Sequence, residues 1–136
     1  MIMTAGIAVA LSACSSSDKK SEILAPGDIL LTEFTTPFGV PPFDKIELED
    51  YMPAFKEAIA QQQKEVDDIV GQTAAPDFEN TIVALDQSGS LLRKVNAVFS
   101  GLNSANTNDE MQALSRELSP LLSKSSDDHR LNKDLI

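Results

Sequence analysis

The sequence predicts an all-α protein in which a helical lobe follows an extended, proline-rich arm. After Ile46, apolar residues recur at steps of three and four through three long segments, as on the buried face of a helix. Four of the seven prolines fall instead within residues 24–45, where they exclude a regular helix. We therefore expect about three antiparallel helices and the start of a fourth within residues 46–136.

Residues 1–13 are predicted to be a lipoprotein signal peptide. They contain an uncharged apolar run that is too short to span a bilayer but has the length of a signal core. The run ends in Leu11-Ser12-Ala13-Cys14, which resembles the lipobox at which bacterial lipoproteins are acylated and cleaved. Cys14 is therefore the predicted lipidation site, although a buried free cysteine is the alternative. We expect an exported protein, lipid-anchored in the cell envelope on the periplasmic face or at the outer membrane, with residues 14–23 as a polar tether.

The arm, residues 24–45, combines prolines with aromatic residues. Its prolines are Pro26, Pro37, Pro41 and Pro42, and its phenylalanines are Phe34, Phe38 and Phe43. Proline fixes φ and removes a backbone donor, so no helix is expected anywhere in this stretch. An exposed linker would not carry three phenylalanines. We expect an ordered strap that lies in a groove, either on the helices that follow or on a surface absent from this chain.

The first two helices are predicted from periodicity. The first should run from about Ile46 to Val70, with Pro53 near its first turn and Gly71 as its stop. The second should begin at Asp77 and continue to about residue 103, bent at most where residues 88–90 read Ser-Gly-Ser.

The third helix is predicted from a capping box. Thr107 is the expected cap, with Glu110 reaching back to it, and Pro120 should kink the helix near residues 116–119. The polar run at residues 125–128 should end it. Asn132 then resembles the cap of a fourth helix that has room for only one turn, which favours a truncated sequence over a frayed natural tail.

Charge and composition exclude several functions. The net charge of −10 would repel a phosphate backbone, so no nucleic-acid partner is expected. The chain has one histidine, His129, in a polar stretch that is predicted to be a solvated turn, and it has no His-Glu-x-x-His motif. Adjacent acids, at residues 47 and 49, 67 and 68, and 127 and 128, point in different directions on a helix and do not form acid–base pairs. We therefore predict no catalytic residue and no metal ligand in this chain.

An ordered series of motifs carries a family resemblance. Residues 31–46 read LTEFTTPFGVPPFDKI, and they precede Tyr51-Met52-Pro53-Ala54-Phe55, the FENTI of residues 78–82 and the SPLLS of residues 119–123. From about Leu30 to the end, the chain resembles the N-terminal region of the thimet oligopeptidase family of zinc metallopeptidases, and within it the bacterial peptidyl-dipeptidases.

This resemblance implies a function for a longer parent protein. Members of the family are helical peptidases with two lobes around a deep channel, and their zinc is held by a His-Glu-x-x-His helix and a downstream glutamate. The resemblance implies zinc and short peptide substrates for the full-length parent, and a missing catalytic lobe as the partner of this segment, which would roof the channel. No zinc ligand maps onto this chain.

A second hypothesis stays open from the sequence alone. The chain could be a stand-alone, non-enzymatic helical lipoprotein that acts as a binding or scaffold module. Under the first hypothesis, the isolated chain should expose Phe34, Phe38, Phe43 and the apolar stripe of residues 91–102.

Overall fold

The structure, a computed structural model, describes residues 25–135. Cys14, the predicted signal peptide at residues 1–13 and the predicted tether at residues 14–23 lie outside this range. Five α-helices are described: α1 (Asp28–Leu31), α2 (Leu48–Val70), α3 (Ala84–Gln87), α4 (Ser90–Ala105) and α5 (Asp109–Arg130). A π-helix (Phe78–Val83) leads directly into α3, and 3₁₀ turns are formed by Pro37–Gly39 and Lys133–Leu135. No strand occurs within residues 25–135, so the all-α prediction is confirmed.

One hydrophobic core joins the arm to the three long helices. Its largest fully buried side chains are Tyr51, Phe55, Leu30, Leu118, Val66 and Val95. Two edge-to-face contacts fix the aromatic centre, because the Phe99 ring lies 5.2 Å from the ring of Tyr51 and 5.8 Å from that of Phe55. Each buried side chain of this size contributes about 1.5–3 kcal/mol. The core is therefore built from α1, α2, α4 and α5 of the same chain.

The arm differs from the extended strap that the prolines predict. Residues 28–31 form one turn of helix, α1, between two prolines, and Leu30 in that turn is fully buried. The expectation that no part of the arm is helical is therefore wrong. The turn forms because Gly27 adopts a positive φ of 91° and its N–H donates to Asp50 Oδ1 of α2 at 2.9 Å. A Cβ at Gly27 would lie 2.9 Å from the backbone nitrogen of Ala54, so only glycine allows the arm to approach α2 this closely.

Helix α2 matches its prediction. It begins after Glu47, whose side chain forms a capping box with Asp50, and it ends at Gly71. Pro53 is the sixth residue of the helix, where it removes a single intrahelical hydrogen bond.

The second predicted helix is broken rather than continuous. Ser88 is extended at ψ 144°, Gly89 has a positive φ of 69°, and α4 begins at Ser90. Two contacts with α2 hold the break, because Glu65 Oε2 accepts the Gly89 N–H at 2.7 Å and the Gln62 side chain occupies the place of a Cβ on Gly89. The first segment begins at the predicted position, and Asp77 caps it by accepting the Asn80 N–H at 2.7 Å.

The third predicted helix is longer than expected and has a different cap. Asn108, not Thr107, accepts the Met111 N–H at 2.8 Å, while the Thr107 hydroxyl donates to Asn103 of α4. The helix continues through Pro120 and past residues 125–128 to Arg130. A single 3₁₀ turn follows, in which Asn132 accepts the Asp134 N–H at 3.0 Å. Within residues 25–135, no helix is both long enough and apolar enough to cross a membrane.

Candidate functional site

His129 lies in the last turn of α5, not in a solvated loop. Its side chain is half-buried, and its Nε2 atom is buried without a hydrogen-bond partner. The expectation of a solvated turn residue is wrong because α5 continues beyond the polar run that was expected to end it. In the part of the chain that the structure describes, no group of three or more His, Cys, Asp or Glu side chains is placed to hold a metal ion.

The adjacent acids serve the helices on which they stand. Glu47 caps α2, and Asp67 accepts from Gln63 Nε2 at 2.8 Å. Asp68 pairs with Lys64 at 2.6 Å, four residues earlier on the same helix. The hydrogen bond that Lys64 Nζ donates to this carboxylate is the main cause that raises the pKa of Lys64. Asp128 pairs with Lys124 in the same way on α5. Glu47, Asp67, Asp68 and Asp128 therefore each have a partner on their own helix.

The most exposed apolar feature is a short loop of the arm. We call residues 36–43 the aromatic loop. Phe38 at its tip is fully exposed, at 102% of its reference area, and it has a positive φ of 62°. Val40 and Phe43 are also exposed on the loop. Large apolar side chains displayed together on a surface are typical of an interaction site.

A groove of about 640 Å³ lies between the aromatic loop and α4. Its lining is mostly apolar and comprises Leu31, Glu33, Phe34, Gly39, Pro41, Lys94, Ala97 and Val98. The groove is open to solvent and continuous with the loop through Gly39 and Pro41. The arm and α4 therefore present one apolar surface.

Lys94 of α4 contacts the arm beside this groove. Its Nζ donates to the backbone oxygen of Thr32 and lies 4.1 Å from the centroid of the Phe34 ring. Partial burial lowers the pKa of Lys94, because it removes water from the ammonium group, while the charge of Glu33 acts in the opposite direction. Sequence reasoning missed this residue. In the sequence, the sign of its role was a lysine within the apolar stripe of residues 91–102.

Part of the apolar surface that was expected to be exposed is covered by the chain itself. Phe34 is half-buried and packs against the core, and Val95, Val98 and Phe99 of the wide stripe are buried. The expected exposure is therefore wrong for these residues and correct for Phe38 and Phe43. Leu30 and Phe34 of the arm pack against the core, whereas Phe38 and Phe43 of the aromatic loop stay exposed.

Known proteins share much of this sequence. No protein-family model matches the chain. It is 44% identical over 107 residues to a dipeptidyl carboxypeptidase of Salmonella typhimurium, a match that covers 79% of this chain and 16% of the relative. It is 42% identical over 106 residues to the dipeptidyl carboxypeptidase of Escherichia coli, covering 78% and 16%. It is 33% identical over 89 residues to oligopeptidase A of Escherichia coli, covering 65% and 13%.

These identities establish the class to which the helices belong. The chain is a thimet oligopeptidase-like N-terminal region, as the motifs of residues 31–46, 78–82 and 119–123 predict. Within that class it is more similar to the two dipeptidyl carboxypeptidases than to oligopeptidase A. The chain spans about a sixth of the length of these relatives.

Proposed function

We propose that this chain is the N-terminal portion of a lipid-anchored zinc metallopeptidase that hydrolyses short peptides and releases dipeptides. Its part in that protein is to roof the substrate channel, and it is not catalytic alone. The 44% identity to a dipeptidyl carboxypeptidase carries the proposal, since homologous helices at this identity have the same fold. Peptide hydrolysis is the activity that the names of all these relatives share.

Zinc, if the longer protein uses it, is held outside this chain. The residues present do not fit the ion, because the sequence has one histidine and that histidine stands alone in the last turn of α5. The metal ligands and the general base therefore belong to the missing catalytic lobe. The proposed role of this chain is steric, since it limits access to the channel and does not take part in bond cleavage.

The lipid anchor is proposed at Cys14. The apolar run and the small residues before this cysteine support it, and the polar residues that follow would separate the anchor from the helices. Expression in bacteria with a labelled fatty acid should label the protein, and Cys14→Ser should abolish the label and leave the uncleaved precursor. Equal labelling of the two proteins would overturn the anchor.

The peptidase proposal is tested on the gene and on its product. The reading frame beyond codon 136 should continue to a His-Glu-x-x-His motif, and the purified product should release dipeptides from the C-terminus of a short peptide in a chelator-sensitive reaction. Residues 1–136 alone should remain inactive when zinc is added. A full-length product without peptidase activity would contradict the proposal, and so would chelator-sensitive activity from the short chain.

The closed core favours a second candidate, a stand-alone, non-enzymatic lipoprotein module. Leu30 of the arm and Phe99 of α4 are buried by helices of the same chain, so these residues do not require a further lobe. A stop codon directly after residue 136, together with a stable product in cells, would favour this module over the peptidase.

A further inference from the structure

We propose that the aromatic loop is the docking point of this helical unit on the catalytic lobe of the longer peptidase, with Phe38 as the side chain that inserts into it. This inference rests on the proposed function and adds the contact surface and its anchor residue. Phe38 is the anchor rather than the arm as a whole, because the apolar residues of the arm from Ile29 to Phe34 already pack on the chain's own helices.

The backbone of Phe38 is in an unfavourable conformation. Its φ of 62° is unfavourable for a residue with a Cβ, and glycine or asparagine would adopt it more readily. The surrounding loop enforces this geometry, because the Gly39 N–H donates to the Thr36 oxygen at 3.0 Å and the Thr36 hydroxyl donates to the Val40 oxygen. The loop therefore holds an unfavourable conformation that turns the phenylalanine away from its own core.

Phe34 and Phe38 differ in burial. Phe34 is half-buried under Lys94 and packs against the core, whereas Phe38, four residues later, is fully exposed. Burial within this unit thus accounts for the first ring and not for the second. A fully exposed aromatic beside an open apolar groove of about 640 Å³ is the arrangement of an anchor residue before its partner is added.

The rest of the longer peptidase is the partner that fits this surface. The relatives have roughly five-sixths of their length outside the segment matched here, and under the proposed function a lobe of that size is covalently connected to this helical unit. A membrane is a poorer occupant, because a chain of net charge −10 is repelled by an anionic lipid surface. The surface therefore fits the remainder of the peptidase better than it fits a bilayer.

The test uses a full-length chimera. The matching segment of this chain replaces its 107-residue counterpart in the Salmonella typhimurium dipeptidyl carboxypeptidase. Hydrogen–deuterium exchange is then measured at the backbone amides of residues 36–43 in the chimera and in the 136-residue chain. We expect exchange at least about tenfold slower in the chimera, since a docked loop opens less often.

A variant pair identifies the anchor. Phe38→Asn keeps a residue that tolerates positive φ and removes the ring, so it should leave the thermal midpoint of the 136-residue chain unchanged or higher. In the chimera, the same change should restore fast exchange in the loop. The matched control is Leu131→Asn, which alters a 74% exposed residue directly after α5, and it should leave the loop protected.

Docking and peptidase function can fail separately. A chimera that releases dipeptides while its loop exchanges as fast as in the short chain overturns the docking, and an inactive chimera with a protected loop overturns the function alone. The docking is also overturned if the wild-type chimera does not fold, or if the loop of the chimera stays protected in the Phe38→Asn variant. Protection of the loop in the 136-residue chain, either on self-association or on anionic phospholipid vesicles, would overturn it as well.

Discussion

Gly89 at the start of α4 and Gly101 in its interior differ in whether the structure requires glycine. Gly89 has a φ of 69°, and a Cβ there would lie 2.3 Å from Gln62 Nε2. Gly101 is exposed inside α4 with open space around it. We expect Gly89→Ala to lower the free energy of unfolding by about 1–3 kcal/mol. Gly101→Ala should raise it by about 0.5–1 kcal/mol, because alanine favours a helix. Urea unfolding of both variants tests this, and a loss of stability in Gly101→Ala would contradict it.

The hydroxyl of Tyr51 is buried and has no hydrogen-bond partner, although the ring is at the centre of the core. We therefore expect Tyr51→Phe to leave stability unchanged or to raise it by up to about 1 kcal/mol, since an unpaired polar atom is removed without loss of volume. Phe55→Ala, which creates a cavity in the same core, should cost about 3–5 kcal/mol. A loss above 1 kcal/mol in Tyr51→Phe would mean that the hydroxyl has a partner in solution.

The same tyrosine predicts how stability depends on alkaline pH. Burial, and secondarily the charge of Asp50, raises the pKa of Tyr51 above its ordinary value of 10.0. The unfolded chain then loses the proton first, so this contribution to stability is present below about pH 10 and is lost as the pH rises through the higher, folded pKa. The lowered pKa of Lys94 acts with the opposite sign, but it is common to both proteins in a comparison with Tyr51→Phe. As the pH rises from 9 to 11, the urea midpoint of Tyr51→Phe should fall less than the urea midpoint of the wild type.

Among the elements, the arm is joined to α4 by the side chain of Lys94, in addition to the apolar packing of α1 and the Asp50 contact at Gly27. Lys94 joins α4 to the Thr32 oxygen and the Phe34 ring, so Lys94→Met should loosen residues 32–36 and leave the helices intact. Loss of about 1 kcal/mol at this contact would accelerate amide exchange there roughly fivefold. Lys56→Met, at an exposed position on α2, is the control. Equal exchange in the arm of both variants would show that the apolar contacts of α1 hold it without the lysine.

The helices that the sequence predicts correctly are those whose evidence is local. The apolar repeat of α2 and the Asp77 cap depend only on residues within a turn of one another. The break at Gly89 depends on Glu65 and Gln62 of another helix, which no spacing within residues 77–103 reveals. The α1 turn likewise depends on Asp50, more than twenty residues away. The exposed position of Phe38 was predictable as part of a phenylalanine-rich arm, but its separation from the buried Phe34 required the structure.

At the scale of the whole described range, residues 25–135 share one hydrophobic core, and residues 78–87 lie at its edge. Leu30, Tyr51, Phe99 and Leu118 belong to the same cluster, although they come from four different helices. Residues 78–87 contribute no buried side chain, and Phe78 and Ile82 in this segment are exposed. Local packing therefore predicts two levels of stability within residues 25–135.

We expect Leu30→Ala and Leu118→Ala each to lower the midpoint of a single urea transition, with a loss of about 2–5 kcal/mol, because each opens a cavity in the shared core. Two separate transitions in either variant would show that the arm and α5 do not unfold together.

In the wild-type chain, amides of residues 78–87 should exchange through an opening that costs at least about 2 kcal/mol less than the opening of the α2 and α4 core turns. The contacts of Glu65 and Gln62 at the Gly89 break, a 3.3 Å bond from Gln72 to the Asn80 oxygen and the packing of α3 on α2 connect this segment to α2 and its end. Equal protection of the two regions would show that the π-helix and α3 are held by more than these few contacts.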